Sequence, residues 1–432
     1  MTFTDLNLIN PILKALAEKG YEKPTSIQEQ AIPHILEHRD VLGCAQTGTG
    51  KTAAFALPII QKVARHKEQN KYHSGILALI VSPTRELALQ IDESIKSYAR
   101  YTKIRHSVVF GGVNQNRQVK SLTKGLDILT ATPGRLLDLI DQGFIDLSHI
   151  KIFVLDEADR MLDMGFIHDI RKIIQLIPKK RQSLFFSATM PDNILDLSKS
   201  ILTNPVRVDV SPENPTADTV RQFIYYTNRQ SKNDLLLHIL EDEDKDQVLL
   251  FSRTKHGANR RARKLSQNQI SAAAIHGDRS QSQRQQALKD FKKGKLRVLV
   301  ATDIASRGID IDKLRYVINF DIPTESETYV HRIGRSGRAG EEGVAISISE
   351  PEENSFVREI ENLIQQKIEV VSDNPYPQTD KPMTAAERKE WNKEKSRRRQ
   401  EFFKSRKASS NGSRRGKPRS QGRSSSRKKQ TR

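Results

Sequence analysis

Ala45-Gln46-Thr47-Gly48-Thr49-Gly50-Lys51-Thr52 stands between the short apolar run Val41-Leu42 and a helical stretch over 52–65. A strand that turns through glycines into a helix points backbone N–H groups and a positive dipole end at an anion, and Lys51 adds a point charge. Thr52 then offers a hydroxyl for Mg²⁺. Ala45 occupies the position where the general phosphate-loop pattern has its first glycine, while Gly50, Lys51 and Thr52 fit it. An ordinary glycine-rich turn ahead of a helix would look the same, so the reading rests on what the rest of the chain places beside the loop.

Strand-like runs recur at 75–82, 106–110, 126–130, 151–156, 183–187 and 206–210, with helical patterns between most of them. Such alternation predicts an α/β fold with a doubly wound parallel sheet, in which ligands bind beyond the carboxyl ends of the strands. The polar motifs fall at those ends: Pro83-Thr84-Arg85, Gly111-Gly112, Thr132-Pro133-Gly134-Arg135, Asp156-Glu157 and Ser187-Ala188-Thr189. Phe153-Val154-Leu155-Asp156 is an apolar strand ending in an acid, the arrangement that completes a Mg²⁺ site opposite Thr52. Glu157 is then placed to orient and deprotonate a water. Acids capping a helix over 157–162 would explain one carboxylate of Asp156-Glu157-Ala158-Asp159 but not the string.

Upstream, 6–19 reads as a helix ending at Gly20 in a C-terminal cap position. A second helix starts within 23–28, with Pro24 in its first turn and Thr25 and Ser26 as cap residues. Gln28 offers both donor and acceptor and can read an adenine edge, with Tyr21 or Phe3 as a stacking face.

Residues 211–218 carry two prolines and no apolar periodicity, the mark of a linker. A second alternating series follows, with strands at 221–227, 247–252, 270–275, 296–302, 315–320 and 343–349 and no second phosphate loop. This unit instead carries Ala301-Thr302-Asp303, Ser306-Arg307-Gly308-Ile309-Asp310 and the arginines Arg332, Arg335 and Arg338. If that segment is helical, spacing by three puts the arginines on one face, a comb suited to phosphates.

At Asp156-Glu157-Ala158-Asp159 the chain resembles the DEAD-box ATP-dependent RNA helicases of superfamily 2, and the similarity runs over 3–349. Alanine at position 45 is the usual form of that family's phosphate loop. The resemblance implies two tandem RecA-like domains: 1–210 with the ATP site, a linker at 211–218, and 219–372, followed by a basic tail over 373–432. It further implies that Tyr21, Thr25, Gln28, the loop Ala45, Gln46, Thr47, Gly48, Thr49, Gly50, Lys51 and Thr52, and Asp310 hold ATP, with Thr52 and Asp156 on Mg²⁺. Lys51, Asp156, Glu157 and the arginine fingers Arg335 and Arg338 would serve hydrolysis. Asp159, Ser187, Thr189, His331 and Arg332 would couple it to strand separation. RNA would lie on Pro83, Thr84, Arg85, Gly112, Thr132, Pro133, Gly134 and Arg135, and on Arg253, His276, Gly277, Asp278, Thr302 and Arg307. The opening residues and tail look most like the bacterial RhlE type.

The formal charge of +20 is unevenly placed: 381–432 holds 20 Lys and Arg against 4 Asp and Glu, leaving the body near balance. A basic Ser/Gly/Arg segment on such a body predicts disorder, with a helical stretch around 385–403, and electrostatic capture of a polyanion, RNA before a membrane surface. No apolar run approaches the ~18 residues of a membrane span. Residues 1–6 lack the basic and apolar regions of a signal peptide, and the one cysteine, Cys44, excludes an internal disulfide or thiolate metal cluster. The expectation is a cytoplasmic protein with a monomeric core and partners of ribosome-assembly or RNA-degradation type. A DNA translocase of the same superfamily and a passive RNA chaperone are the competing readings.

Overall fold

The structure, a computed structural model, describes residues 1–45, 48–70, 75–210, 220–242, 244–303, 314–337 and 343–382, together with Thr384, Glu387, Glu390, Lys393, Glu394 and Arg397. Residues Met1–Gln378 form one compact unit and Thr379–Arg432 another. The first unit contains two seven-stranded sheets, and every strand pairing in them is parallel. Its strands are β1 Val41–Cys44, β2 Ala78–Val81, β3 His106–Val109, β4 Ile128–Ala131, β5 Ile152–Leu155, β6 Gln182–Ser187 and β7 Val206–Asp209 in the first sheet. The second has β8 Val220–Tyr226, β9 Val248–Phe251, β10 Ala272–Ile275, β11 Val298–Ala301, β12 Tyr316–Asn319, β13 Gly343–Ser349 and β14 Glu369–Val370.

The strand orders are β3-β4-β2-β5-β6-β1-β7 and β10-β11-β9-β12-β13-β8-β14. The order β5-β6-β1 is what builds the site. It sets three carboxyl ends side by side, so that Asp156, Ser187 and the loop after Cys44 become neighbours although they are far apart in sequence.

Most strands are apolar on both faces because helices cover both sides. Alternate residues of each strand serve different cores. Ile152 and Val154 pack with Phe55, Ile91 and Phe186 on one side of the first sheet, while Phe153 and Leu155 pack with Leu136, Ile170 and Leu197 on the other. The second sheet repeats the plan: Leu250 and Ile318 face Leu235 and Leu265, and Leu249 and Val317 face Phe291.

Two expectations need correction. The first helix spans Asn10–Glu18 rather than 6–19, because Phe3–Leu6 forms a separate 3₁₀ turn closed by Asn7 at φ 54° and Pro11 opens the helix proper. Its end is as expected: Gly20, at φ 71°, donates its N–H to Ala17 O (3.0 Å), and Tyr21 N donates to Leu16 O (3.1 Å). The arginine comb is broken, because the helix Ser326–Ile333 stops at Gly334, leaving Arg332 on the helix and Arg335 in the turn beyond it. The segment after Lys367 returns to the sheet as β14 beside β8, and residues beyond it are tied to the end of β8. Asn374 Nδ2 and Gln378 N donate to Tyr226 O at 2.9 and 3.1 Å, and Thr227 Oγ1 donates to Tyr376 O at 2.6 Å. The expected linker at 211–218 lies outside the described residues.

In the second unit Thr384 N and Oγ1 donate to Glu387 Oε2 (2.7 and 2.8 Å), a capping arrangement, and the described residues Glu387 to Arg397 are helical. The rest of the helical stretch read around 385–403 lies outside the described residues.

Candidate functional site

The phosphate loop leaves β1 and enters the helix Lys51–Gln69 through Gly50, whose φ of 95° is left-handed. A side chain there would collide with the amide of Gln28 and the hydroxyl of Thr25, so glycine lets the adjoining helix Ser26–Leu36 dock on the loop. Gln28 makes that contact: its Nε2 donates to Gly50 O (3.1 Å) while its Oε1 accepts from Thr25 N (3.1 Å). The amide expected to read an adenine edge is thus already tied to the loop, with one N–H and one lone pair left for a ligand. Tyr21 is exposed and stacks at 6.5 Å on Phe3, which is itself buried behind it. Of the two rings, Tyr21 is the one open to solvent.

Lys51 and Asp156 are both buried, and Lys51 Nζ and Asp156 Oδ1 have no hydrogen-bond partner. Unpaired buried polar atoms are costly, so a cation and a carboxylate oxygen left this way fit a phosphate and a metal ion. Burial pushes the Asp156 carboxyl up to about 6, against the pull of Lys51. Among the described residues no group of three or more His, Cys, Asp or Glu side chains forms a metal cage. Mg²⁺ needs none, since one or two carboxylates plus phosphate oxygens usually hold it.

Glu157 sits at φ 57°, a backbone region uncommon for glutamate, and caps the helix Ala158–Asp163. Its Oε2 accepts from Arg160 Nη1 at 2.7 Å, both groups being buried. Burial opposes its ionisation, but Arg160, Lys51 and Arg335 together hold the carboxyl below the usual range. Arg160 is a member of the site that the sequence reading missed, although its position three residues after Glu157 on a helical pattern was the available signal. Asp159 reaches across to β6: its Oδ2 accepts from Ala188 N, Thr189 N and Thr189 Oγ1 at 3.1–3.2 Å, and Ser187 Oγ lies 3.2 Å from Asp159 N. Asp159, Ser187 and Thr189, read separately as coupling residues, form one cluster.

The second sheet closes over this constellation. Arg335, 6% exposed, acts on Glu157, and His331 acts on Asp159. Arg332 plays another part: its Nε and Nη2 hold Asp303 at 2.6 and 2.8 Å and its Nη1 donates to Asn319 and to Asp321 O, which fastens the helix to β11 and β12. The residues Gln46, Thr47, Arg307, Asp310 and Arg338 lie outside the described residues.

A groove of ≈ 540 Å³ runs alongside, lined by Pro83, Thr84, Arg85, Gly111, Thr132, Gly134 and Arg135 from the first sheet and by Gly277 and Arg284 from the second. Arg85 lies over Gly112, whose φ of 76° and missing side chain make room for the guanidinium. Arg135 Nη1 is buried without a partner. Thr84 Oγ1 caps the helix Arg85–Tyr98 by accepting from Leu87 N (3.3 Å), and Pro133 opens the helix Pro133–Asp141. The two sheets are joined at the groove's edge by Glu86, whose Oε2 accepts from Arg284 Nη2 (2.8 Å) and Oε1 from Gln281 Nε2 (3.0 Å). Nothing in the sequence marks Gln281 and Arg284, which lie on an ordinary polar helix.

Other expected RNA residues are placed differently. The Arg253 guanidinium is held by Glu353 and by Ile322 O, and Asp278 pairs with Lys255. Thr302 sits at the end of β11, its N–H donating to Ile275 O (3.4 Å). His276 is 2% exposed with both ring nitrogens unpartnered, and burial, then Arg279, hold it below its ordinary pKa.

Residues 25–197 match the DEAD/DEAH box helicase family and residues 231–340 the helicase conserved C-terminal domain. The chain is 43% identical over 368 residues to the ATP-dependent RNA helicase CshA of Limosilactobacillus reuteri, spanning 85% of this chain and 73% of that protein. It is 41% identical over 369 residues to the CshA of Bacillus subtilis, spanning 85% and 74%. The relatives' names are CshA rather than RhlE, so the expected subtype is not carried forward. Among solved structures it resembles S. cerevisiae Dbp5 bound to RNA and ADP BeF3, at 33% identity and a TM-score of 0.77 over 86% of this chain and 95% of that one. A DEAD box protein from Methanococcus jannaschii is 40% identical but scores only 0.51 over 86% of this chain and 99% of its own. The chain belongs to the DEAD-box ATP-dependent RNA helicases, enzymes that hydrolyse ATP with Mg²⁺ and separate or remodel RNA.

Proposed function

We propose that this protein divides one ATP site between its two sheets and uses an RNA strand, gripped by both, to bring them together. The first domain is 1–210 and the second 219–372, joined by 211–218. In the first, the loop from Ala45 to Thr52 holds the phosphates, with Lys51 as its point charge, while Tyr21, Thr25 and Gln28 receive the base. Thr52 and Asp156 hold Mg²⁺, which when bound neutralises charge on the phosphates. Glu157 orients the attacking water and takes its proton. Arg335 and Arg338 reach in from the second domain to neutralise charge developing in the transition state, and Asp310 serves the ribose. Asp159, through Ser187 and Thr189, passes the state of the site to β6. Arg332 and His331 hold the arginine-bearing turn in place.

RNA lies along Pro83, Arg85, Gly112, Thr132, Gly134 and Arg135, continuing to Gly277 across the seam. Contacts to sugar and phosphate give little sequence preference, with the 2′-hydroxyl separating RNA from DNA. The basic segment beyond 381 adds salt-sensitive, sequence-independent capture. Partner proteins of ribosome-assembly or RNA-degradation type and action as a monomer in the reducing cytoplasm complete the reading.

The observation that carries it is a buried Arg335, from the second sheet, within electrostatic reach of Glu157, beside a Lys51 Nζ and an Asp156 Oδ1 that have no hydrogen-bond partner. RNA bound across the seam favours closure, and by reciprocity ATP tightens RNA binding. Lys51→Ala should abolish ATP binding, whereas Glu157→Gln should keep binding and stop turnover. RNA-stimulated but not DNA-stimulated hydrolysis separates this from a DNA translocase. If Glu157→Gln turns over at the parent rate, the assignment of the base is wrong.

A further inference from the structure

At the other end of the first sheet, where the strands begin, lies a second cavity of ≈ 460 Å³. Leu77, Lys151 with Ile152, and Arg181 with Gln182 bring in the starts of β2, β5 and β6; Lys62, Val63 and His66 come from the helix Lys51–Gln69, and His38 and Lys180 complete the wall. Lys62 is eleven residues from Lys51, or roughly 16 Å along the helix axis, so this cavity is separate from the phosphate loop. It shares no lining residue with the groove beside Arg85.

Its chemistry is one-sided. Four of the lining side chains are lysine or arginine, two are histidine, and none is acidic. Val63, Leu77 and Ile152 supply an apolar floor. Lys62 Nζ is fixed by Ile35 O (3.1 Å), Gln182 Oε1 (2.7 Å) and His38 Nδ1 (2.7 Å), which neutralise none of its charge. Arg181 Nη1 donates to Pro178 O (2.9 Å), while its Nε is buried without a partner. Asp40 attracts Arg181, but its carboxylate accepts from Ser183 N (2.8 Å) and Thr203 N (2.7 Å) and does not line the cavity. Buried cations are normally paired. Here burial pulls Lys62 down to about 8, and burial, then the Lys62 charge, pull His38 down.

We propose that this cavity is a second small-molecule site, taking a phosphorylated organic anion of about mononucleotide size. Lys151, Lys180 and the Arg181 side chain receive the phosphates, Lys62 contributes field, and the apolar floor takes the organic part. A volume within the usual range for ligand pockets, an apolar base and convergent polar groups are what such sites have in common. Because Lys62 and Gln182 belong to the helix and strand that carry Lys51 and Ser187 at their other ends, an occupant would touch two elements of the ATPase machinery without entering it.

The test uses the full chain with Lys51→Ala, so that the phosphate loop does not compete, and titrates it with GTP and with inorganic pyrophosphate. Binding is followed by calorimetry and by hydrogen exchange of the peptides covering 149–153 and 179–184. Saturable GTP binding that slows exchange in both peptides is expected, tighter than for pyrophosphate, and weakened at least about tenfold by adding Lys151→Glu and Lys180→Glu. The same reversal in the parent chain should leave RNA-stimulated ATP hydrolysis unchanged, which shows that it folds. GTP binding untouched by the reversal, or no saturation at millimolar GTP, overturns the proposal. Equal affinity for GTP and pyrophosphate overturns the organic part. Protection of these peptides by single-stranded RNA but not by GTP would make the cavity part of an RNA path instead.

Discussion

Removing Arg284 should loosen closure of the two sheets without touching the ATP site. Arg284 Nη2 and Glu86 Oε2 lie 2.8 Å apart, with side chains only 10% and 5% exposed, and Gln281 shares the same carboxylate. Two unit charges about 4 Å apart at an effective dielectric near 20 attract by roughly 4 kcal/mol, and after desolvation a charge-assisted hydrogen bond retains about 1.5–3 kcal/mol. With the sheets apart both groups return to water, so the whole loss falls on the closed state. Arg284→Ala should therefore raise the RNA concentration for half-maximal ATP hydrolysis by about 10- to 100-fold, with maximal turnover at saturating RNA reduced far less. ATP affinity without RNA should be unchanged. Glu86→Gln keeps a neutral acceptor and should show a smaller shift, and the double variant should be less than additive because both changes remove one interaction. As a control, Asp196→Ala breaks an exposed pair with Lys199 and should do nothing. An RNA half-saturation for Arg284→Ala within about twofold of the parent would refute the latch, since contacting charges should couple by more than that.

Arg160→Ala leaves Glu157 buried without its main counter-charge; the Glu157 pKa should rise, moving the acid limb of the turnover–pH profile to higher pH, and the fold should lose about 3–5 kcal/mol by denaturant titration. An unmoved acid limb would remove Arg160 from the site. Gly112→Ala forces a left-handed backbone, costing about 1–2 kcal/mol, and pushes the Arg85 guanidinium aside, so RNA affinity should fall while ATP affinity holds, as binding titrations would report. Burial raises Asp156 to about 6 in the fold, so its contribution to stability is present below the unfolded carboxylate range near pH 4 and is lost as pH rises through 6. Asp156→Asn should accordingly stabilise the ligand-free chain by about 1–3 kcal/mol at pH 7.5 and not at pH 4, in parallel melts, while destroying Mg²⁺-dependent ATP binding. Equal melting shifts at both pH values would contradict the assigned burial.

The sheets were legible because parallel strands buried on both faces, such as Phe153-Val154-Leu155 and Val298-Leu299-Val300, read as unbroken apolar runs, and their polar ends point to the ligand face. Local punctuation was legible for the same kind of reason: Gly20 and Thr25 act where they stand. What escaped is non-local. Glu86 meets Arg284 across 198 residues, Glu353 takes the guanidinium of Arg253 across 100, and neither partner is unusual in its own neighbourhood. The comb of arginines failed because helical spacing was extended through Gly334, where the chain instead turns. Two-residue β14 has no periodicity to read, since pairing with β8, not its own pattern, makes it a strand.

The central claim is a catalytic site split between two sheets, and single-turnover hydrolysis by Arg335→Ala at saturating RNA measures it most directly. The account predicts a fall of roughly 10³-fold or more, the scale of an arginine supplied to a phosphoryl transition state, with RNA-free ATP affinity within about threefold of the parent. Hydrolysis at the parent rate would contradict it.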